Sequence, residues 1–293
     1  MGNINQLPYF QINNIKETNK IARFLLKKVN HILKEKYPYH YLIFARQDKR
    51  LKYIQKLSEK YKYFLKIDIE KYYPSVNHKI FLANNWEFNS HNSRRMRHYL
   101  KYEIPGFLKQ SPVQGKGLAL GNYLSWVLAG LYLLPLDLKI PRPFLRIQDD
   151  YLIFCKNKKE PEKILKEIIE PELEKLELKL NINKLNSGRF HQNPVEFIGF
   201  RYYAGIFTIS TKKIENFKNQ IIRITHLTNK KPDKAIIKEL NNKIMGFGHY
   251  YKLAYCKQDF EKLDAFIRQR LRRYIARNKD SRNKLGNLLL TNE

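Results

Sequence analysis

Two short β-rich runs in this chain each deliver carboxylates to a strand end, and no other feature constrains the fold as much. The first, YFLKIDIEKYYPSV, switches from helical to strand-type spacing at Tyr63 and ends at Asp68 and Glu70. The second, FLRIQDDYLIFC, reads as strand, tight acidic turn, strand, with Asp149 and Asp150 in the turn. A carboxylate at one strand end plus a pair in a neighbouring hairpin turn suits two divalent ions about 3.5–4 Å apart. One ion activates an attacking hydroxyl and the other neutralises a leaving pyrophosphate. Taken alone, an Asp-Asp pair is more often a plain turn. The rest of the chain decides between the two readings.

The flanking pattern is mixed. Helical spacing covers residues 17–36 and 50–62, and again 89–104, where Pro105-Gly106 breaks it. Gly121-Asn122 precedes an apolar helix from Tyr123 to about Leu134, and Pro161 starts a helix that Pro171 interrupts before Leu176. Leu176, Leu178, Leu180 and Ile182 alternate with polar residues, which predicts a half-buried strand. Residues 195–210 predict a hairpin turning at Ala204-Gly205, and everything from Thr211 onward predicts helix. With no internal repeat and no Gly/Ser linker, the expectation is an α+β body with a helical appendage.

Charge speaks to partners. The 293 residues carry 56 Lys and Arg against 27 Asp and Glu, a formal net charge of +29. At 43% hydrophobic and 13% aromatic, this is a folded chain and not a disordered basic tail. Its expected partner is a polyanion, nucleic acid ahead of an anionic membrane surface. Cys155 and Cys256 are too few for a disulfide framework or a Cys-based zinc site, which points to a reducing, cytoplasmic setting. Met1 to Lys20 is polar and lacks the apolar core of a secretory signal. The most apolar stretch, Tyr123 to Leu136, has 14 residues, short of the roughly 20 that cross a bilayer, so a buried helix and no membrane are expected.

Six segments, in order, resemble a bacterial reverse transcriptase of the non-LTR lineage, the group of intron, diversity-generating-retroelement and phage-defence enzymes. YFLKIDIEKYYPSVNHKIF resembles the first palm motif and GLALGNYLSWVLAGLYLLPLD the template- and nucleotide-positioning motif. FLRIQDDYLIF resembles the paired-aspartate hairpin, and LELKLNINKLNSG the motif that follows it. VEFIGFRYY resembles the primer grip, and KIMGFGHYYKLAYC with FEKLDAFIRQRLRRYI the helical thumb. The resemblance spans about Tyr39 to Arg273.

It implies a right-hand polymerase fold with reduced fingers, a palm sheet and a helical thumb. Residues 1–62 would hold N-terminal helices and fingers, 63–210 the palm, and 211–293 the thumb and basic C-terminus. Asp68, Asp149 and Asp150 would bind two Mg²⁺ ions (Mn²⁺ as a substitute), with Ile69 contributing its backbone carbonyl. Tyr73 would lie beneath the incoming sugar and leave no room for a 2′-hydroxyl, or else be a packed aromatic. Gly121 would admit the nascent pair, or simply turn the chain, while Asn122, Ser125 and Gln148 would line the nucleotide site. Lys184 would protonate the leaving pyrophosphate or stabilise its charge, or sit solvated on the surface. Phe197, Gly199 and Phe200 would form the primer grip, or only core. Arg268, Arg270, Arg272, Arg273 and Arg277 would contact phosphates, or solubilise a packed helix.

The chain departs from the family pattern in carrying Leu120 before Gly121, Trp126 after Ser125, and Ile147-Gln148 before the paired aspartates. These changes touch the substrate pocket and leave the carboxylates intact. Only 67 residues precede Asp68, which leaves little chain for the fingers hairpin that normally supplies a Lys and an Arg to the triphosphate. Arg46, Lys49 and Arg50 are the substitutes at hand. The expected function is RNA-directed DNA synthesis from dNTPs in an antiphage defence system, with a noncoding RNA and a second protein subunit or oligomer. A diversity-generating-retroelement enzyme is the alternative; an intron maturase ranks last, since no endonuclease follows the thumb. A catalytically silent RNA-binding scaffold on the same fold is the reading from another class, and Mg²⁺-dependent dNTP incorporation separates it from an enzyme.

Overall fold

The computed structural model describes residues 15–36, 47–83, 98–111, 113–226 and 232–277, which fall into two compact units divided between Phe190 and His191. The first unit is built on a four-stranded antiparallel sheet of β1 (Tyr63–Asp68), β2 (Phe144–Ile147), β3 (Asp150–Cys155) and β4 (Asn186–Arg189), in the order β2-β3-β1-β4. The central strands β1 and β3 are buried at nearly every position, as strands covered on both faces must be. They pair in register from Tyr63 opposite Cys155 to Asp68 opposite Asp150. The two acidic sites read from the sequence thus meet at one end of one strand pair.

Around the sheet lie α1 (Ile15–Lys36), α2 (Gln47–Lys60), α3 (Tyr72–Ser75), α4 (His78–Ala83), α5 (Ile104–Leu108), α6 (Tyr123–Tyr132), α7 (Leu134–Lys139), α8 (Glu160–Ile164) and α9 (Glu170–Lys175). The apolar segment at Tyr123 is the core helix that its length implies. α6 sinks Leu124, Val127, Leu128, Leu131 and Tyr132 into a cluster shared with Ile21, Ala22 and Leu25 of α1 and with Leu65 and Ile67 of β1. Asn122 starts it as N-cap, its Oδ1 accepting from the backbone amides of Leu124 (2.7 Å) and Ser125 (3.4 Å).

Three sequence expectations change. Pro105 does not break its helix and Pro171 does not interrupt one. Each follows a five-residue π-turn, Tyr99–Glu103 and Leu165–Ile169. The residue before each proline donates to the carbonyl five positions back, Ile104 to Tyr99 and Glu170 to Leu165. This wide turn carries the chain past a residue that has no N–H to give. The segment from Leu176 to Ile182 is not a strand, because β4 already occupies the edge of β1 along Tyr63–Lys66. What remains is a single bridge, Ile69 to Leu180, before the chain turns into a 3₁₀ helix, Ile182–Lys184. Of the helix expected at 89–104, residues up to 97 lie outside the described residues, as do Arg46 and the thumb residues beyond Arg277.

The second unit opens with a three-stranded antiparallel meander, β5 (Val195–Phe197), β6 (Phe200–Tyr203) and β7 (Ile206–Ile209), where a two-stranded hairpin was expected. Its two turns share one geometry: Ile198-Gly199 (φ 48° and 81°) and Ala204-Gly205 (φ 48° and 85°) are two-residue connections with both φ positive. α10 (Thr211–Ile224), α11 (Asp233–Tyr251) and α12 (Lys257–Arg277) follow and pack through Phe217, Ile221, Leu240, Leu263, Ile267 and Tyr274. The last helix packs through the side that carries Phe266, Ile267, Leu271, Tyr274 and Ile275.

Candidate active site

Antiparallel pairing places Asp68 directly across from Asp150 at the open end of β1 and β3, with Asp149 in the turn beside them. Side chains two apart on a strand share a face, so Lys66 lies on the same side as Asp68. Lys66 is buried, and its Nζ is 3.1 Å from Oδ1 of Asp150, an ion pair outside good hydrogen-bond alignment, so that this buried oxygen has no true hydrogen-bond partner. Asp68 is held from the other edge. Lys184 Nζ donates to both of its oxygens, at 3.0 and 2.9 Å, and Asn181 Nδ2 donates to Oδ1 at 3.2 Å. Asn181 and Lys184 are three apart around a 3₁₀ turn, which brings both side chains over the same carboxylate. The Asn181 amide also donates to the Asp68 carbonyl at 2.8 Å, locking this turn to the end of β1.

Crowding negative charge into a half-buried site is costly, and the acid–base behaviour shows it. Burial, reinforced by Asp68 and Asp149 and opposed by Lys66, pushes the Asp150 carboxyl up to about 6. Burial and Asp68 also raise Asp149, against Lys184 and Lys66. Lys184 is raised through its hydrogen bonds to Asp68. Such a site favours a cation that stabilises the ionised forms of Asp149 and Asp150.

The donor set, three hard carboxylates with a backbone carbonyl at Ile69 next in the chain, fits a divalent ion in kind. Among the described residues no three His, Cys, Asp or Glu side chains converge closely enough for one ion. Asp68 and Asp150 are instead partnered by Lys184 and Lys66.

Tyr73 belongs to the same site. Burial and then the charge of Asp149 push its hydroxyl up to about 12, so the phenol stays neutral. Its backbone is pinned by the 116–118 segment: Leu118 N donates to Tyr73 O (2.9 Å), and Gly117 N to Val76 O (2.8 Å). Buried His78 ties the segment down through Nε2 to Gly117 O at 2.7 Å. Gly121 (φ 79°) stands exposed with open space where a Cβ would be, so ligand backbone or base can approach it closely. Asn122 and Ser125 differ from expectation in accessibility. Asn122 spends its side-chain oxygen on the cap, and Ser125 is fully buried. Gln148 takes a left-handed conformation (φ 55°) and its Nε2 donates to Trp126 O at 3.3 Å, tying the acidic turn to α6.

In the second unit Phe197 and Phe200 are buried, and Gly199 lies against Tyr250 and Tyr251, whose hydroxyl sits 3.0 Å from where a Cβ would be. Arg268, Arg272 and Arg273 are exposed on α12. Arg270 is not free, donating from Nε (3.3 Å) and Nη2 (3.1 Å) to Thr225 Oγ1. The Arg277 side chain lies outside the described residues.

Sequence reasoning missed Lys66, Asn181, and the buried pair Arg146–Asp137. Lys66 left a readable signal, a lysine two residues before Asp68 and therefore on the same strand face as that carboxylate. Asn181 left a weaker one, its spacing from Lys184.

A β-sheet whose central strands end in paired aspartates, flanked by helices, is the palm of a right-hand polymerase. The family model for reverse transcriptase (RNA-dependent DNA polymerase) matches residues 12–202, and the chain belongs to that family. The group II intron, maturase-specific domain matches residues 214–288, so the two together make a reverse transcriptase of bacterial type. No curated protein sequence matches the chain.

Among solved structures, apo telomerase from Candida tropicalis truncated from its C-terminal domain aligns at 13% identity over 69% of this chain and 46% of that chain, with TM-score 0.53. Candida tropicalis telomerase in complex with a TWJ fragment of telomeric RNA aligns at 14% identity over 83% of this chain and 48% of that chain, with TM-score 0.51. These likenesses show a shared fold. The chain spans about half the length of both structures. Among the described residues, no helix is long and apolar enough to cross a membrane.

Proposed function

We propose that this protein is an RNA-directed DNA polymerase that adds dNTPs to a primer by two-metal nucleotidyl transfer. The observation that carries the reading is the register of β1 and β3, which sets Asp68 against Asp150 with Asp149 alongside. Asp68, Asp149, Asp150 and the Ile69 carbonyl would hold Mg²⁺, which supplies charge neutralisation and an activated primer hydroxyl. Tyr73 closes the sugar side of the pocket as a neutral ring. Gly121 leaves room for the nascent pair. Lys184, already bonded to Asp68, offers a proton or a charge to the departing pyrophosphate. RNA-templated primer extension by the purified chain, with and without Mg²⁺, tests this. Template-dependent DNA supports it, and RNA binding without synthesis favours the scaffold.

The setting proposed is an antiphage system in which the protein works in the cytoplasm on a dedicated noncoding RNA with a second subunit. The second unit, with 21 Lys and Arg against 9 Asp and Glu, is suited to hold RNA, exposed Arg268, Arg272 and Arg273 making phosphate contacts and the β5–β6 turn gripping the primer. The maturase-type match over 214–288 supports a second reading, a protein derived from an intron-encoded maturase. Sequencing the nucleic acid that copurifies distinguishes a fixed noncoding RNA from intron RNA.

A further inference from the structure

Behind the acidic turn lies a charge pair that the proposed chemistry does not use. Arg146 and Asp137 are 3% and 0% exposed, and Arg146 Nη2 is 2.6 Å from Asp137 Oδ2. Tyr151, opposite Arg146 in the β2–β3 register, donates its hydroxyl to Asp137 Oδ1 at 2.9 Å. Arg146 also reaches two carbonyls: Nη2 to Gly130 O (3.0 Å) and Nη1 to Gln148 O (3.1 Å). Gly130 is among the last four residues of α6, whose carbonyls find no partner within the helix, and a cation is favoured there. Tyr72 caps the neighbouring carbonyl, donating to Ala129 O, and its ring packs edge-on against Tyr73, 5.9 Å between centroids. One end of α6 is therefore hydrogen-bonded to the acidic turn and, through Tyr72, to the neighbour of Tyr73.

Stability alone does not explain this arrangement. Desolvating two charges typically offsets most of their attraction, and apolar residues of similar volume often serve as well. What an arginine adds is a rigid fork that three acceptors can share, which no lysine or apolar side chain reproduces. One of those acceptors is the carbonyl of Gln148, the left-handed residue whose peptide bond leads directly into Asp149. A non-glycine residue leaves the left-handed region readily unless something holds it.

We propose that Arg146, oriented by Asp137 and Tyr151, is a positioning residue: it clamps the Gln148–Asp149 peptide to the end of α6 and so fixes where Asp149 and Asp150 stand. The proposal rests on the polymerase reading for its consequence, but the clamp can be measured without catalysis. Arg146→Lys keeps the charge and loses the fork. Tyr151→Phe removes one bond to Asp137 and leaves the ion pair. Leu173→Ala, from the buried face of α9, is a control that destabilises the same core without touching the clamp.

Hydrogen exchange by mass spectrometry on the full chain should show faster exchange in peptides covering 146–151 for Arg146→Lys, and to a lesser degree for Tyr151→Phe, than for Leu173→Ala at equal thermal destabilisation. Single-turnover dNTP addition on an RNA template should slow by about 10²-fold for Arg146→Lys at saturating dNTP, the size expected for misplaced reacting groups, with KM changed far less. Exchange at 146–151 no faster than in the Leu173→Ala control overturns the clamp. So does an undiminished addition rate in folded Arg146→Lys. If Arg146→Lys does not fold, Tyr151→Phe decides by the same two measurements. A wild-type chain that adds no nucleotide while the exchange result holds removes the polymerase reading and leaves the clamp standing.

Discussion

Asp68 and Asp150 stand opposite each other where β1 and β3 end, and a different lysine holds each of them, Lys184 on Asp68 and Lys66 on Asp150. Asp149 makes no ion pair among the described residues. The three carboxylates should therefore separate in stability. Asp150→Asn strands a Lys66 ammonium that is only 9% exposed and should cost about 3 kcal/mol, a clear fall in melting temperature. Asp149→Asn should melt with the wild type. Thermal unfolding of the two variants checks the contrast, and equal melting temperatures would mean that Lys66 has no structural need of Asp150.

Tyr73 is anchored through its backbone carbonyl by Leu118 N, and its ring is flanked edge-on by Tyr72. Tyr73→Val should admit ribonucleotides, lowering the dNTP-over-NTP preference by about tenfold or more, which corresponds to about 1.4 kcal/mol of discrimination. Single-nucleotide addition with paired dNTP and NTP measures it. An unchanged preference removes Tyr73 from the gate.

Gly121 and Gly199 have nearly the same positive φ, 79° and 81°, but differ in surroundings. Gly121→Ala meets open space and should lose only backbone strain, about 1 kcal/mol. Gly199→Ala adds a methyl 3.0 Å from the Tyr251 hydroxyl and should lose more. Denaturant melts of both variants give the order directly. Gly121→Ala should still slow nucleotide addition, because its methyl enters the space left for the nascent pair.

On α12, Arg268, Arg272 and Arg273 face solvent while Arg270 is engaged by Thr225. Changing the three exposed arginines together to Gln should weaken RNA binding and flatten the slope of log K against log salt by about two to three units. Arg270→Gln should instead lower stability. Equal slopes for wild type and triple variant would take the phosphate contacts away from this surface.

The carboxylates, the strands that carry them and the apolar helix Tyr123–Tyr132 were legible because each rests on local chemistry: a change of period, a turn, a long apolar run. What escaped depends on which segments meet. The alternation of Leu176 to Ile182 predicts a strand, yet the edge it needed on β1 was taken by Asn186–Arg189, and no local pattern announces that competition. Pro105 and Pro171 read as breaks because a π-turn has no sequence signature as clear as proline itself. Nothing in the local sequence marks Arg146 and Asp137 as partners, and only the fold shows that they are buried against each other.

The central claim is that the end of β1 and β3 is a polymerase active centre, and one measurement bears on it most directly. The rate of adding a single dNTP to a primer on an RNA template in Mg²⁺ is compared for the wild-type chain and Asp149→Asn, both shown by melting to be folded. The account predicts Mg²⁺-dependent addition by the wild type and a loss of at least about 10²-fold in the variant, whose metal site has lost one anionic ligand. Addition by Asp149→Asn at the wild-type rate would contradict it.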